Sequence, residues 1–151
     1  MTIEKESDLS HERIFLSSVK APGLGRVIKG ETSGAEPYSW ESKESLRKLA
    51  IGKKVKVEME YSRDVPSSRG GADFTMNFGA IFLTQKNRNL AVQQLERGLV
   101  KTNIRQSGEN ASKYLEDLLA AEKKAADSKL CLHNQKSPPQ AIFADLIGNT
   151  K

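Results

Sequence analysis

The chain has 151 residues, of which 37% are hydrophobic and 28% are charged, and its formal net charge is +5. This length and composition indicate one soluble globular domain with a hydrophobic core, and the length is too short for two domains. The sequence predicts neither a membrane span nor a secretory leader. The one cysteine, Cys131, cannot form an internal disulfide, which is typical of a protein from a reducing compartment.

The excess positive charge is concentrated in residues 13–105, whereas residues 1–12 are acidic. A basic body of this kind favours a polyanionic partner. The sequence has one cysteine, Cys131, and two histidines, His11 and His133, which are too few ligands for a zinc site. Functions that require such a zinc site are therefore excluded.

The first predicted element is a strand over residues 13–19, with Ile14 on one face and Phe15 on the other. Pro22 ends it, because proline donates no hydrogen bond to a strand ladder. Residues 23–37 contain several glycines and few apolar groups and are predicted to form a long loop.

A helix is predicted over residues 39–51, with Ser39 as its N-cap and Gly52 as the glycine that ends it. Leu46 and Ala50 belong to its apolar stripe, because residues four apart share one helix face.

Two strands follow this helix. The first alternates charged residues with apolar ones, namely Val55, Val57, Met59 and Tyr61. Residues 62–73 form a polar insertion, and a second strand covers about residues 74–84. We expect its aromatic stripe, Phe74, Phe78 and Phe82, to lie in the core.

The remaining pattern predicts two helices and a short strand. Asn89 is expected to cap a helix that stops at Gly98, and residues 99–104 are predicted as a strand. The longest helix is predicted to begin near Asn110. The order of elements indicates an α+β fold with a small curled sheet, for which a five-stranded OB barrel is one candidate among several.

Five segments carry a family resemblance. They are ERIFLSSVKAP, LRKLAIGKKVKVEMEY, NLAVQQLERGL, SKYLEDLLAAEKKA and LCLHNQK. Their order and spacing resemble the staphylococcal-nuclease-like (SNase-like) repeats of the Tudor staphylococcal nuclease family, most closely the third repeat. The resemblance covers residues 12–146 and implies an α+β fold built on an OB-fold β-barrel with three helices.

The resemblance also implies boundaries. Residues 1–136 would form the SNase-like repeat, and residues 137–151 a linker toward the next repeat. The family's opening strand has no counterpart here, and Thr2–Glu4 would be a remnant of the second strand. We therefore expect a sheet edge that is open, or filled by the tail or by another copy of the chain. Apolar residues of the tail are expected to pack on this barrel or on the next repeat, namely Ile142, Phe143, Leu146 and Ile147.

An active nuclease of this kind holds calcium with carboxylates, activates water with a glutamate and neutralises phosphate charge with two arginines. The resemblance places the metal aspartate, the glutamate and the two arginines at Lys20, Gly23, Phe15 and Phe78. Two pocket tyrosines fall near Ile104 and Gln106. No catalytic position is retained, so we expect no cofactor, and calcium belongs only to a nuclease alternative.

Two groups of basic residues are candidates for RNA binding. The denser group spans the predicted helix and the next strand and comprises Lys43, Arg47, Lys48, Lys53, Lys54 and Lys56. The second group is expected around the mouth of the ancestral active site and comprises Lys20, Arg26, Lys101 and Arg105. Tyr38 and Trp40 are candidate stacking groups, although we expect Trp40 to pack the helix onto the barrel. A solvated face that only maintains solubility is the alternative for both groups.

The resemblance implies a non-catalytic RNA-binding repeat of a longer protein that acts in RNA metabolism and gene silencing. The alternatives are a calcium-dependent ribonuclease completed by missing or neighbouring segments, and a protein-interaction scaffold. The implied partners are RNA, neighbouring SNase-like and Tudor domains, and proteins of RNA-silencing complexes, with no membrane. Family membership further implies a cytoplasmic location, a nuclear pool as a second location, and a role in transcription coactivation.

Overall fold

The computed structural model describes residues 1–67, 70–103 and 111–134. Its helices are α1 (Ser39–Ala50), α2 (Leu90–Glu96) and α3 (Leu115–Asp127), and a 3-10 turn (Cys131–His133) follows α3. Its strands are β1 (Thr2–Glu4), β2 (His11–Leu16), β3 (Val19–Lys20), β4 (Leu24–Ile28), β5 (Glu31–Ala35), β6 (Val55–Val65), β7 (Phe74–Leu83), β8 (Arg88–Asn89) and β9 (Lys101–Thr102). The predicted mixed α+β class with three helices is confirmed. No helix in this part of the chain has the length and apolar character needed to cross a membrane.

The main sheet carries β1 and β6 at its two edges. β1 pairs antiparallel with β2, β2 pairs parallel with β7, and β7 pairs antiparallel with β6. β8 extends the sheet beside β7, and two small ribbons, β3 with β9 and β4 with β5, lie apart from it. Among the described strands β1 and β6 do not pair with each other. The closed OB-fold barrel therefore stays a prediction.

The hydrophobic core has two clusters that meet at α2. One contains Ile14, Ile81 and Leu90, each at most 1% exposed, and lies between the main sheet and the helices α1 and α2. The other joins α2 to α3 through Leu95 and Leu118. Burial of large aliphatic side chains in both clusters supplies the main driving force for this fold.

Helix ends follow the predicted signals at the end of α1 and at both ends of α2. The predicted start of the longest helix near Asn110 is wrong, because α3 begins at Leu115 with Tyr114 as its N-cap. The Asn89 side chain accepts a hydrogen bond from the Ala91 N–H at 2.9 Å and caps α2, as predicted. Gly52 and Gly98 adopt positive φ after α1 and α2, also as predicted. Ser39 is not the N-cap of α1, because Tyr38 occupies that position with a left-handed φ of 63° and Ser39 is already helical.

Residues 23–37 hold a β-hairpin, and the predicted long loop is wrong. Ile28 lies opposite Glu31, so the turn contains only Lys29 and Gly30. Both residues have positive φ, 52° and 83°, which is the backbone of a two-residue turn whose twist matches that of paired strands. Gly30 is thus the residue that permits the turn and not a sign of a longer loop.

The aromatic stripe of β7 was predicted to lie in the core and is only partly buried. Ile81 is fully buried in the core together with Ile14, which defines the inner face of the sheet. Phe78 and Phe82 alternate with Ile81 and therefore lie on the outer face, and Phe74 is 53% exposed. The predicted core position is therefore confirmed for Phe78, which is only 9% exposed, and wrong for Phe74. Phe82 contacts the ring of Tyr114, the N-cap residue of α3.

Gly98 lies where two segments approach closely. Its φ is 70°, and a Cβ added there would meet the carbonyl oxygen and carbon of Leu130. The Leu132 N–H donates a hydrogen bond to the Gly98 carbonyl at 3.0 Å. The segment after α3 therefore packs directly on the end of α2, which closes the described part of the fold.

Candidate nucleic-acid interface

A pocket of about 430 Å³ lies where β3 and β9 approach the start of α1. Lys20 and Lys101 contribute its basic side chains, and Pro22, Pro37 and Tyr38 contribute an apolar wall. We call this site the lysine pocket. It brings together two of the predicted RNA-binding residues with Tyr38, the predicted stacking group.

Lys20 and Lys101 lie directly opposite each other in the antiparallel β3–β9 ribbon. Opposed residues of an antiparallel pair point to the same side, and like charges in this arrangement repel each other. Both lysines are exposed, and neither takes part in an ion pair found among the described residues. An anion bound between the two ammonium groups would relieve this repulsion.

The β3–β9 ribbon is held in place by its neighbours. The Asn103 N–H donates to the Ser18 carbonyl at 2.9 Å, which continues the pairing past Thr102. Glu122 of α3 accepts hydrogen bonds from the Thr102 N–H and hydroxyl. The backbone that carries Lys20 and Lys101 is therefore fixed to the longest helix.

The other predicted members of this group lie elsewhere. Arg26 lies on β4, opposite Ser33 of β5, and does not line the lysine pocket. Arg105 lies outside the described residues. Trp40 is 40% exposed, so the predicted packing of its ring is at most partial.

Three aromatic side chains form a row across the outer face of the main sheet. Phe15 lies opposite Phe78 with ring centroids 5.6 Å apart, and Tyr61 stacks on the other side of Phe78 at 4.7 Å. Phe78 is only 9% exposed. Partial burial raises the pKa of Tyr61. We call this set the aromatic row.

A β-bulge explains why Tyr61 belongs to this row. Met59 lies opposite Gly79, but Tyr61 lies opposite Phe78, so one extra residue separates them on β6. An extra residue reverses the alternation of faces beyond it. Tyr61 therefore faces outward with Phe78, whereas unbroken alternation would have placed it inward with Val57.

The denser predicted group of basic residues does not form one free patch. Its members on α1 and next to β6 are exposed, as expected for Lys53, Lys54 and Lys56. Three members are partly neutralised, because Arg47 pairs with Glu44, Lys54 with Glu6 and Lys56 with Glu58. Four members, Lys43, Arg47, Lys53 and Lys54, border a separate groove between β1 and β6.

Two glutamates of β6 tie the start of α3 to the sheet. Glu58 accepts a hydrogen bond from the Tyr114 hydroxyl at 2.6 Å and pairs with Lys113 at 2.7 Å. Glu60 accepts from the Ser112 hydroxyl at 2.9 Å and from the Lys113 N–H at 3.2 Å. Sequence alternation identified Glu58 only as part of a polar strand face, since no local signal shows its partners.

Replacing Lys113 with alanine should raise the pKa of Glu58 toward its ordinary value of 4.5. The hydrogen bond from Lys113 is the main cause that lowers this pKa to about 2, and the Tyr114 hydroxyl is the second. A carboxyl whose pKa falls on folding stabilises the fold above its unfolded pKa, and this contribution disappears as the pH drops toward 2. An NMR titration of the Glu58 carboxyl carbon measures the change.

Lys86→Ala serves as the control in this titration, because Lys86 is an exposed lysine of the loop after β7. It should leave the pKa of Glu58 where it is. An unchanged pKa near 2 in Lys113→Ala would contradict the assignment of Lys113 as the main partner.

The residues around the lysine pocket do not fit a calcium ion. Within the described chain, no group of three or more His, Cys, Asp and Glu side chains is placed to hold a metal. Lys20, onto which the resemblance places the family's metal aspartate, presents an ammonium group that repels a cation. Glu36, the carboxylate that lines this pocket, accepts a hydrogen bond from the Gly23 N–H at 2.5 Å.

Comparison with known proteins shows the family of this chain. Residues 13–135 match the family of staphylococcal nuclease homologues. The chain belongs to this family. It is 32% identical over 158 residues to Ribonuclease TUDOR 2 of Arabidopsis thaliana, an alignment that covers 93% of this chain and 16% of the relative. It is also 32% identical over 167 residues to Ribonuclease TUDOR 1 of the same plant, with 93% and 17% covered.

This staphylococcal nuclease homologue spans about one sixth of the length of these two relatives. Phe15 and Phe78, onto which the resemblance places the family's two arginines, lie opposite each other in the sheet. The positions near Ile104 and Gln106, expected for the pocket tyrosines, lie outside the described residues, as does the tail from residue 135 onward.

Proposed function

We propose that this chain binds RNA without cleaving it, as one SNase-like repeat of a longer protein of the Tudor staphylococcal nuclease type. The similarity to two Tudor ribonucleases supports a longer parent protein of this type, because nearly the whole chain aligns with only about a sixth of each. We further propose that it corresponds to the third repeat, on the strength of the segments quoted above. Both proposals treat the chain as one segment of a longer polypeptide.

The opposition of Lys20 and Lys101 is the observation that carries this proposal. Lys20 counts against cleavage, because an ammonium cannot take the place of a calcium-binding carboxylate. The same ammonium counts for binding, because it lies across from Lys101 at the edge of an open pocket. Phosphate groups of RNA are bound by such exposed cationic pairs through release of counterions.

The aromatic row supports the absence of cleavage. Two arginines at Phe15 and Phe78 would present charge to a phosphate, whereas the phenyl rings pack on each other and on Tyr61. A half-buried aromatic cluster of this kind stabilises no phosphorane charge. Its three rings pack on one another and cover part of the outer face of the sheet.

A calcium-dependent ribonuclease is the second candidate, and one observation favours it. Both similar Arabidopsis proteins are named ribonucleases. Cleavage by this chain would require metal-binding carboxylates from a missing segment or a neighbouring repeat, because the described residues supply no cluster of them. Removal of calcium by a chelator would then stop the cleavage.

The partners proposed with this function are RNA, adjacent SNase-like and Tudor domains, and proteins of RNA-silencing complexes. The proposed location is the cytoplasm with a second, nuclear pool. These proposals follow from the family resemblance and from the similarity to the Tudor ribonucleases.

Titration of labelled single- and double-stranded RNA at two salt concentrations tests the proposed function. We expect binding at low salt that weakens steeply toward physiological salt, because Lys and Arg contacts to phosphates release counterions. The RNA should stay intact with calcium added. Degradation that persists through repeated purification and stops with a chelator would select the ribonuclease candidate.

A further inference from the structure

The ribbon formed by β6 and β7 extends beyond the pairing of β7 with β2. In the described part of the chain β7 pairs with β2 at residues 77–79, whereas its pairing with β6 continues to Phe74. Residues 63–65 and 74–76 therefore form a projecting end of the ribbon. A two-stranded ribbon without cover is only marginally stable in water, so the contacts that its two faces make are important for its stability.

One face of this projecting end is polar and linked across its strands by hydrogen bonds. The Thr75 hydroxyl donates to the Asp64 carboxylate at 2.7 Å. At the base of the projection the Ser62 hydroxyl donates to the Asn77 side chain at 2.8 Å. The Asn77 amide donates in turn to the Glu12 carboxylate at 3.1 Å. The polar groups of this face therefore find partners within the chain.

The other face of the projecting end is apolar and open to solvent. Met76 and Phe74 continue the outer face of β7 beyond Phe78, because side chains two positions apart on a strand share a face. Val65 lies opposite Phe74 on this face. Phe74 is 53% exposed, so a large ring meets water. Contiguous apolar surface of this kind is typical of a site that a partner covers.

Two arginines flank Met76 on this apolar face. Arg63 of β6 lies directly opposite Met76. The parallel register of β2 and β7, continued by one residue, places Arg13 on the other side of Met76. Arg13 alternates with Ile14, which is buried in the core, and therefore lies on the outer face. We call this surface the arginine-flanked patch, and it comprises Arg13, Arg63, Val65, Phe74 and Met76.

The two arginines give the patch a positive charge that suits an acidic partner. Both are exposed, and neither takes part in an ion pair found between described residues. They lie on the strands on either side of β7 and are thus two strand spacings apart, about 10 Å. An α-helix with its side chains has about the same width. A helix that lies along β7 therefore places one of its flanks beside each arginine.

The composition of the patch favours a polypeptide over RNA. Its centre is Met76, whose flexible thioether packs against aliphatic side chains but offers no ring on which a base could stack. None of its five residues is a lysine, whereas methionine, aromatic residues and arginine are the types enriched at protein interfaces. Arginine also binds a carboxylate through two parallel hydrogen bonds. An apolar stripe with carboxylates on both sides complements this surface.

We propose that the arginine-flanked patch binds an acidic amphipathic helix of another protein. The helix lies along β7 with its apolar stripe on Phe74 and Met76. Acidic residues on the two sides of this stripe pair with Arg13 and Arg63. The apolar contact provides affinity, and the two ion pairs select acidic over basic helices. None of the residues of the patch lines the lysine pocket, so this site is independent of the proposed RNA binding.

Methyl NMR of the 151-residue chain tests this site with two helical peptides. One probe carries leucines at positions i, i+3, i+4 and i+7, glutamates on both sides of this stripe and alanines elsewhere, and the matched probe has lysines in place of the glutamates. The glutamate probe should shift the Met76 methyl signal saturably. The signal of Met59, which is 49% exposed outside the patch, should stay unchanged. The lysine probe should bind about tenfold more weakly, because two ion pairs become two repulsions.

Charge reversal tests the contribution of the arginines. Arg13→Glu combined with Arg63→Glu should invert the preference between the two probes. The control, Lys48→Glu combined with Lys86→Glu, reverses two exposed lysines outside the patch and should retain the preference.

Removal of the exposed ring tests the apolar contact. Phe74→Ser should weaken binding of the glutamate probe by about tenfold, because less apolar area is buried in the complex. Its control, Ile51→Ser, removes a side chain that is 62% exposed beyond the end of α1 and should leave binding unchanged.

Three results would overturn the proposal. The first is the absence of a saturable Met76 shift, or equal affinity for both probes. The second is a Met76 shift caused by single-stranded oligouridylate and by neither peptide, which would assign the patch to RNA. The third is a Met76 shift that grows with protein concentration in the absence of peptide, together with a dimer in solution, which would assign the patch to a second copy of the chain.

Discussion

Replacing Gly98 with alanine should lower the thermal midpoint of unfolding by about 10 °C, corresponding to about 3 kcal/mol in a domain of this size. Two effects add at this position. The positive φ of 70° costs an L-residue about 1 kcal/mol or more, and the new Cβ would overlap the Leu130 carbonyl, which adds about 2 kcal/mol of overpacking. Thermal unfolding followed by circular dichroism gives the shift.

Gly52→Ala separates the two effects. Gly52 has a similar φ of 67°, but no atom lies within 4 Å of a Cβ added there. This variant should lose only the conformational part, about 1 kcal/mol and about 3 °C. Equal losses in the two variants would show that the segment after α3 moves away from Gly98 at no cost, contrary to the close packing described above.

Reversing Lys20 and Lys101 together should weaken binding of single-stranded RNA by at least about tenfold at low salt, through loss of two phosphate contacts. The slope of log affinity against log salt should become shallower by about 1.4, because each phosphate contact to a single strand contributes about 0.7. The fold should be unaffected, because two glutamates opposite each other repel no more than the two lysines that they replace. Anisotropy titrations at several salt concentrations measure both quantities.

Lys86→Glu combined with Lys123→Glu is the matched control for this RNA experiment. Both lysines are exposed, and neither lines the lysine pocket, so the net charge changes equally while the pocket stays intact. Equal loss of binding in the control would show that only total charge matters. Retained binding in the Lys20, Lys101 variant would move the RNA site to Lys48, Lys53 and the residues around them.

Local signals predicted the elements that depend on local chemistry. Asn89 caps α2 because its side chain reaches an N–H two residues ahead, and that geometry requires no tertiary partner. Gly52 ends α1 for the same kind of reason, since glycine adopts positive φ freely. The strand at Val55 and the helix at Leu118 follow from apolar periodicity that continues over several turns or residues.

Features that depend on partners distant in sequence could not be predicted. The face of β7 that packs with Ile14 and Leu90 is set by the tertiary arrangement, so the face occupied by Phe78 has no local signal. The link from Glu58 to Tyr114 joins residues 56 positions apart and has no signature in either segment. The opposition of Lys20 and Lys101 likewise required the register of β3 and β9. Sequence resemblance grouped Lys20 with Lys101 around the ancestral site but did not show that they lie directly opposite each other.

The single extra residue between Met59 and Tyr61 divides β6 into two segments, in which odd-numbered residues face opposite sides of the sheet. Val55 and Val57 pack against the core, whereas Tyr61, also odd-numbered, lies on the other face of the sheet and stacks on Phe78. The side chain that a position of β6 tolerates therefore depends on whether that position precedes or follows Glu60. Deletion of Glu60 would restore one continuous alternation along β6. The hydroxyl of Tyr61 would then be directed toward the aliphatic core, and Phe78 would keep only Phe15 as an aromatic neighbour.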